Sequence, residues 1–225
     1  LLEEINLNID IITLSEIWGN HNDFKHPEYQ PMVVNLRKNK RGGGVGIILK
    51  KNIKFSVIEE LSKLNNNIEI ITIKVKTNNS TRLISSVYRP PNPTLADINN
   101  FLSDINNLLE YKNSHFQDIK FDILGDFNLN TLLHSTSINV RDFINKFEEH
   151  NLTSLINRPT RISHNQPSII DNIFSNNFDN SEQFILPVSI SDHFIILKSE
   201  PKTTQLNEES TSTYTQRDVF MNRIP

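Results

Sequence analysis

Two clear helical stripes interrupt a chain otherwise made of short apolar runs with strand character, and that imbalance limits the fold more than any other feature. Leu95, Ile98, Phe101, Leu102, Ile105, Leu108 and Leu109 recur at helical spacing behind a Thr94 N-cap with Asp97 three residues on. Phe143, Ile144 and Phe147 mark one face of a second helix over Val140–His150. Strands are expected over Ile9–Ser15, Met32–Leu36, Val45–Lys50, Ile53–Glu59, Ile68–Thr77, Thr81–Tyr88, Phe121–Leu124, Ser168–Ser175, Phe184–Val188 and Phe194–Leu197, with another extended stretch over Leu152–Ile156. Leu1, Leu2, Ile5 and Leu7 add a fragment of helical periodicity. Simple strand–helix alternation does not fit this order. Two packed sheets with helices outside do.

Composition narrows the chemistry. The chain has 225 residues, enough for one large domain or two small ones, and a formal net charge of −3. That charge gives no global basic footprint, so any work on nucleic acid depends on local patches and a metal ion. There are no cysteines, which excludes disulfides, thiolate metal sites and Cys nucleophiles. No apolar run approaches the length of a membrane span, and an intracellular protein is expected, nuclear if it acts on chromosomal DNA.

The richest stretch is FDILGDFNLN, Phe121 to Asn130. Its apolar half is a short buried strand, and Asp126 and Asn128 follow it two residues apart. At a strand's C-terminal end, side chains of one parity face one way, so Asp126 and Asn128 address a common site while Phe127 turns into the core. Similar polar residues stand at or near other strand ends: Glu16, Tyr88, Asp192 and His193, with Asp171 in the middle of its own apolar strand. An acid in such a strand needs a partner or a metal, because burying an unpaired charge is costly. Carboxylates with Asn and without Cys suit an oxygen-coordinated hard cation such as Mg²⁺ or Mn²⁺. An Asp–His pair can manage protons, the Asp fixing the imidazole tautomer. The basic, Gly-rich segment Arg37 to Gly44 reads either as a flexible hairpin or as a phosphate-contacting edge; it lacks the P-loop pattern.

In their order and separations, SEIW (Ser15–Trp18), VYRPPN (Val87–Asn92), GDFN (Gly125–Asn128), IIDNIFSN (Ile169–Asn176) and SDH (Ser191–His193) resemble the endonuclease/exonuclease/phosphatase superfamily. RGGGVGIILK and NRPTR (Asn157–Arg161) are more narrowly similar to the apurinic-type endonuclease domain of non-LTR retrotransposons. The resemblance implies an α/β (α+β) four-layer sandwich of two mixed β-sheets flanked by helices, occupying residues 1–200, with 201–225 a polar tail or linker. It implies a Mg²⁺-dependent endonuclease (Mn²⁺ being an alternative ion) acting on DNA beside a reverse transcriptase domain. By the same resemblance Glu16 would ligate the metal, Tyr88 would bond the scissile phosphate, and Asp126 would orient or deprotonate the attacking water. Asn128 would bind phosphate and position that acid. Asp171 would pair with His193, which contacts phosphate, and Asp192 would support the metal or the leaving group. Arg37, Lys38, Lys40, Arg41, Arg158 and Arg161 are the expected DNA contacts.

Members of that superfamily carry an active-site Asn on a first strand, upstream of the strand that leads to the Glu. This chain begins after that point, so a sheet lacking its first strand, with exposed pairing edges and weakened activity, is expected. Two other readings compete: a phosphohydrolase for inositol phosphates, lipid headgroups or RNA, and an inactive nucleic-acid-binding remnant.

Overall fold

A computed structural model describes residues 8–18, 21–37, 42–76, 80–91, 94–178, 180–189, 191–201 and, by backbone alone, 215–222. Leu1–Leu7, Lys38, Lys40 and Arg41 therefore lie outside the described residues. The strands are β1 (Ile11–Ser15), β2 (Val33–Asn35), β3 (Val45–Leu49), β4 (Lys54–Val57), β5 (Lys63–Leu64), β6 (Glu69–Lys76), β7 (Thr81–Tyr88) and β8 (Lys120–Asp126). After them come β9 (Thr153–Ser154), β10 (Arg161–Ser163), β11 (Gln166–Ser168), β12 (Asp171–Ser175), β13 (Glu182–Leu186), β14 (Ile195–Pro201) and β15 (Thr215–Asn222). Helix α1 spans Leu95–His115, between β7 and β8, and α2 spans Ile138–Glu148, between β8 and β9.

One sheet runs β13-β14-β15-β1-β3-β2 and the other β4-β6-β7-β8-β12-β9, with β5 on β6. Period-two alternation divides their side chains among three cores. Ile11, Ile47 and Leu49 meet Ile71, Ile73, Ile84, Leu124 and Ile173 between the sheets. Alternate residues of the second sheet (Leu83, Val87, Phe121, Ile123) pack under both helices, against Phe101, Ile105, Phe143 and Phe147. The outer face of the first sheet, with Ile12, Leu14 and Ile48, is covered by Tyr29, Phe24 and Met32. The mixed α/β sandwich expected from the sequence is the fold found. The α1 cap is a full capping box: Thr94 Oγ1 accepts from the Asp97 N–H at 3.2 Å and Asp97 Oδ2 from the Thr94 N–H at 2.8 Å.

Two expectations change. Within the stretch expected to be a polar tail, Thr215–Asn222 is a strand inserted between β1, to which it runs parallel, and β14, to which it is antiparallel. The open edges expected beside β1 are thus paired, since ladder donors and acceptors on two neighbouring strands are satisfied by a third segment. The strand expected over Ser168–Ser175 divides: Ser168 ends β11, and Asp171 begins β12 instead of sitting at mid-strand. The intervening main chain is spent on loops, with Ile170 O accepting from Phe127 N and Ile169 O from Thr131 N.

Candidate active site

Strand register builds the site. Tyr88 lies level with Asp126 across the parallel β7–β8 pair, Asp126 level with Asp171 across antiparallel β8–β12, and Glu69 level with Tyr88 on β6. These four form one row across the second sheet. Their parity matches that of Ile71, Ile84, Leu124 and Ile173, so all face the first sheet. Ser86 Oγ donates to Leu14 O at 3.0 Å, tying the sheets together close by.

From the first sheet comes Glu16, just past β1, with φ 54 in the left-handed region that non-glycine residues seldom occupy. Its carboxylate accepts the Tyr88 hydroxyl and, at 3.4 Å, the indole N–H of Trp18. Asp171 is fully buried, and its two oxygens lie 3.1 and 3.0 Å from His193 Nδ1. The pairing expected for this strand acid is present. Ligand atoms of Asp126, Asp171 and His193 all lie within 4.8 Å of one another.

The turn after β8 is held tightly. Gly125 has φ 145, and a Cβ there would stand 1.9 Å from Val87 O, so no side chain fits. Phe127 is buried edge-on to Phe174 and Phe147, with ring centroids 5.3 and 5.9 Å away. Asn128, with φ 47, donates its main-chain N–H to Asp126 Oδ1 at 2.8 Å and its Nδ2 to Asp126 Oδ2 at 3.0 Å. The carboxamide therefore orients the acid.

Other expected residues sit differently. Asp192 is exposed and outside the cluster; Arg161 Nε donates to its Oδ2 at 2.7 Å. Arg37 pairs with Glu69 and lies 6.0 Å over the Tyr88 ring, at the edge of the site. Arg158 is exposed. The sequence reading missed three residues. Glu69 anchors the Gly-rich hairpin by accepting the Gly44 N–H; an acid at an inward parity position of IEIITIKVK was the signal for it. Thr160, the uncharged member of NRPTR, is buried and accepts the N–H groups of Ile170 and Asp171 at 3.3 and 3.2 Å. Arg89 is buried beneath the Asp126–Asn128 turn.

Electrostatics follow from this crowding. Burial pushes the Asp126 carboxyl well above the usual range, and the Asp171 and Glu16 charges add to the rise against His193 and the Asn128 N–H. Burial opposes charging of His193, but the hydrogen bond and charge of Asp171 outweigh it and hold the imidazole above its ordinary 6.5. Burial also raises Glu69 and Tyr88, the latter helped by Glu16. Asp126, Asp171 and Glu16 thus crowd one region, with His193 beside Asp171 and Arg37 beside Glu69 offsetting part of their charge. The group whose ligand atoms converge, Asp126, Asp171 and His193, could hold a divalent cation, whose charge would relieve that repulsion; Glu16, the expected metal ligand, lies outside that group, on Tyr88.

The family described as endonuclease-reverse transcriptase matches residues 82–197. The endonuclease domain of TRAS1, a telomere-specific non-LTR retrotransposon, superposes with a TM-score of 0.65 at 16% identity, covering 82% of this chain and 82% of that one. The Xenopus laevis APE2 catalytic domain gives 0.65 at 14% identity, over 97% of this chain and 86% of that one. The 3′ phosphatase NExo from Neisseria, bound to product DNA hairpin, gives 0.60 at 15%, over 86% and 89%. These solved structures share the fold. No curated protein sequence matches the chain.

Proposed function

Because this chain belongs to the endonuclease-reverse transcriptase family, within the endonuclease/exonuclease/phosphatase superfamily, we propose that it is a divalent-metal-dependent phosphodiesterase that nicks DNA and leaves a 3′-hydroxyl able to prime reverse transcription. The observation carrying this reading is the level placement of Asp126 and Asp171 on neighbouring strands, with His193 on Asp171 and Glu16 on Tyr88.

Each residue has a job in that chemistry. Asp126, made a stronger base than an ordinary carboxylate by its burial, is suited to take a proton from the attacking water. Asn128 fixes its direction. Asp171 holds His193 by Nδ1 and supports its charge, so the ring would meet a phosphate oxygen through Nε2. Tyr88 shares the phosphate side of the site with Glu16, which would hold Mg²⁺ or Mn²⁺. A cation held there would supply Lewis acidity at the phosphate and charge to offset that of the departing 3′-oxygen. Arg158 and Arg161 would serve as phosphate contacts, with Asp192 positioning Arg161. DNA is the macromolecular partner in this reading, with a reverse transcriptase in the same polyprotein and action on nuclear DNA.

The test is conversion of supercoiled plasmid to open circle by the purified chain with Mg²⁺ or Mn²⁺, against a chelator control. A polymerase extending the nick without end repair reports the 3′-hydroxyl. Turnover of inositol phosphates with no plasmid nicking would replace the DNA reading by a small-molecule one.

A further inference from the structure

One buried charge has no part in the chemistry above. Arg89 is 2% exposed and directly follows Tyr88 at the end of β7. Its Nε donates to Phe127 O at 2.5 Å and its Nη2 to Asn128 O at 2.5 Å. Its main-chain N–H donates to Asp126 O at 2.9 Å, and its carbonyl accepts Asn128 Nδ2 at 2.8 Å. A single residue thus engages three consecutive residues of the catalytic turn. The guanidinium also lies 5.7 Å over the Phe101 ring, which anchors it to the first turns of α1.

Burying a guanidinium is costly, and a mere space-filler here would be apolar. What the fork supplies is direction. With the carbonyls of residues 127 and 128 drawn inward to two donors of one rigid plane, the backbone at Asn128 is held in its left-handed conformation. That conformation is what lets both Asn128 N–H donors reach the two oxygens of Asp126. Burial lowers the Arg89 pKa, to about 10, so it remains charged at neutral pH.

We propose that Arg89 is a positioning residue of the hydrolytic site: its guanidinium clamps the Asp126–Phe127–Asn128 turn and thereby sets the direction of the Asp126 carboxylate. The proposal rests on the phosphodiesterase reading for its catalytic consequence, while the clamp itself has an independent readout.

Arg89→Met, of similar length and without charge, and Arg89→Lys, which keeps the charge but loses the fork, separate these effects. In folded Arg89→Met, kcat for plasmid nicking should fall ~10–100-fold with KM within about twofold, as expected when a catalytic group is misaligned while substrate binding persists. Arg89→Lys should recover part of the loss. Amide exchange gives the readout that needs no activity: the Asn128 N–H should lose protection in Arg89→Met while Ile123 and Ile173 at the sheet centre keep theirs. Unchanged Asn128 protection, or a folded Arg89→Met with wild-type kcat, overturns the clamp. Should Arg89→Met not fold, Arg89→Lys with wild-type kcat and wild-type Asn128 exchange overturns it instead. A wild-type chain that hydrolyses no phosphoester removes the functional reading, and the exchange data alone then decide whether Arg89 holds the turn.

Discussion

Strand β8 carries two inward-facing acids four residues apart, Asp122 and Asp126, and the sandwich treats them in opposite ways. At one end Asp122 accepts from Lys198 Nζ at 2.6 Å and from Ser175, with Arg82 Nη2 3.4 Å from its other oxygen. Lys198 also reaches Asn177 O and Ser175, while Arg82 donates to both oxygens of Glu200 at 2.7 and 2.8 Å. Two cations balance two carboxylates, and the network joins β14 of one sheet to β7, β8 and β12 of the other. At the other end, Asp126 faces Asp171, with Glu16 and Glu69 in the same neighbourhood. Burial works against Glu200 as it does against Asp126, yet Arg82 and Lys198 carry Glu200 below the usual carboxylate range while Asp126 rises above it. The same strand thus holds an acid charge-paired with two cations, although its Oδ2 accepts no hydrogen bond from the described residues, and an acid whose oxygens both accept hydrogen bonds but which is crowded by other carboxylates. The charge-paired acid ties the sheets together, and the crowded one is left to do chemistry.

Substitution at the two acids tests this contrast most severely. Asp126→Asn should lower the nicking rate ~10³-fold, within the range for loss of a general base, with no loss of thermal stability because a repelled buried carboxylate has been neutralised. Asp122→Asn should do the reverse. Leaving Lys198 buried with a weakened partner should cost about 3–5 kcal/mol, read by denaturant unfolding, while the rate per folded molecule is retained. If Asp126→Asn unfolds the chain and Asp122→Asn abolishes nicking in folded protein, the division between the two ends is wrong.

That division was half legible in the sequence. Period-two alternation and the helical stripes, which are local properties, pointed to two packed sheets with helices outside. It was the resemblance of SEIW, VYRPPN, GDFN, IIDNIFSN and SDH that implied a common site for Glu16, Tyr88, Asp126, Asn128, Asp171 and His193. Asp122 looked like one more polar residue in an apolar run, since its cations come from Arg82 and Lys198, 40 and 76 positions away. Arg89 was hidden for a related reason. Beside two prolines it reads as an exposed strand end, and nothing local announces that the chain folds it under a turn 37 residues on. Partner choice across sheets depends on register and topology. The insertion of β15 between β1 and β14 is topology of that kind.

The pH dependence of stability sharpens the comparison at a smaller scale. Asp126 has a folded pKa raised above its unfolded value, so its stabilising contribution is full below the unfolded pKa and disappears as pH rises through the folded one. His193 has the same sign: the Asp171–His193 pair contributes fully below the ordinary 6.5 and is lost as pH climbs through the raised value. In chelator, the melting temperature should therefore fall as pH rises from the ordinary carboxylate value of 3.8 on account of Asp126 and from 6.5 on account of His193, by on the order of several degrees, and Mg²⁺ or Mn²⁺ should flatten that slope by compensating the ionised acids. Asp126→Asn should flatten it without metal. A slope unchanged in that variant would show that the site end is not the source of the strain.

The smallest expected effect concerns an ion pair outside both networks. Arg161 and Asp192 are 30% and 38% exposed in their side chains, in contrast to the buried Asp122–Lys198 pair. Burial works to raise Asp192, and the Arg161 hydrogen bond outweighs it, leaving the carboxyl below its ordinary range. Water screens such a pair, so Arg161→Gln should change unfolding stability by less than about 1 kcal/mol. Its effect should fall on substrate binding. A lost phosphate contact should raise KM for DNA several-fold and reduce the slope of log affinity against log salt by about 1. The same substitution frees Asp192 from its partner, and comparing Mn²⁺ affinity in Arg161→Gln with the wild type tests whether that acid then ligates the cation. Tighter Mn²⁺ binding with weaker DNA binding would place Arg161 in competition with the metal for Asp192; unchanged Mn²⁺ binding would confine Asp192 to holding a DNA-contacting arginine at the rim.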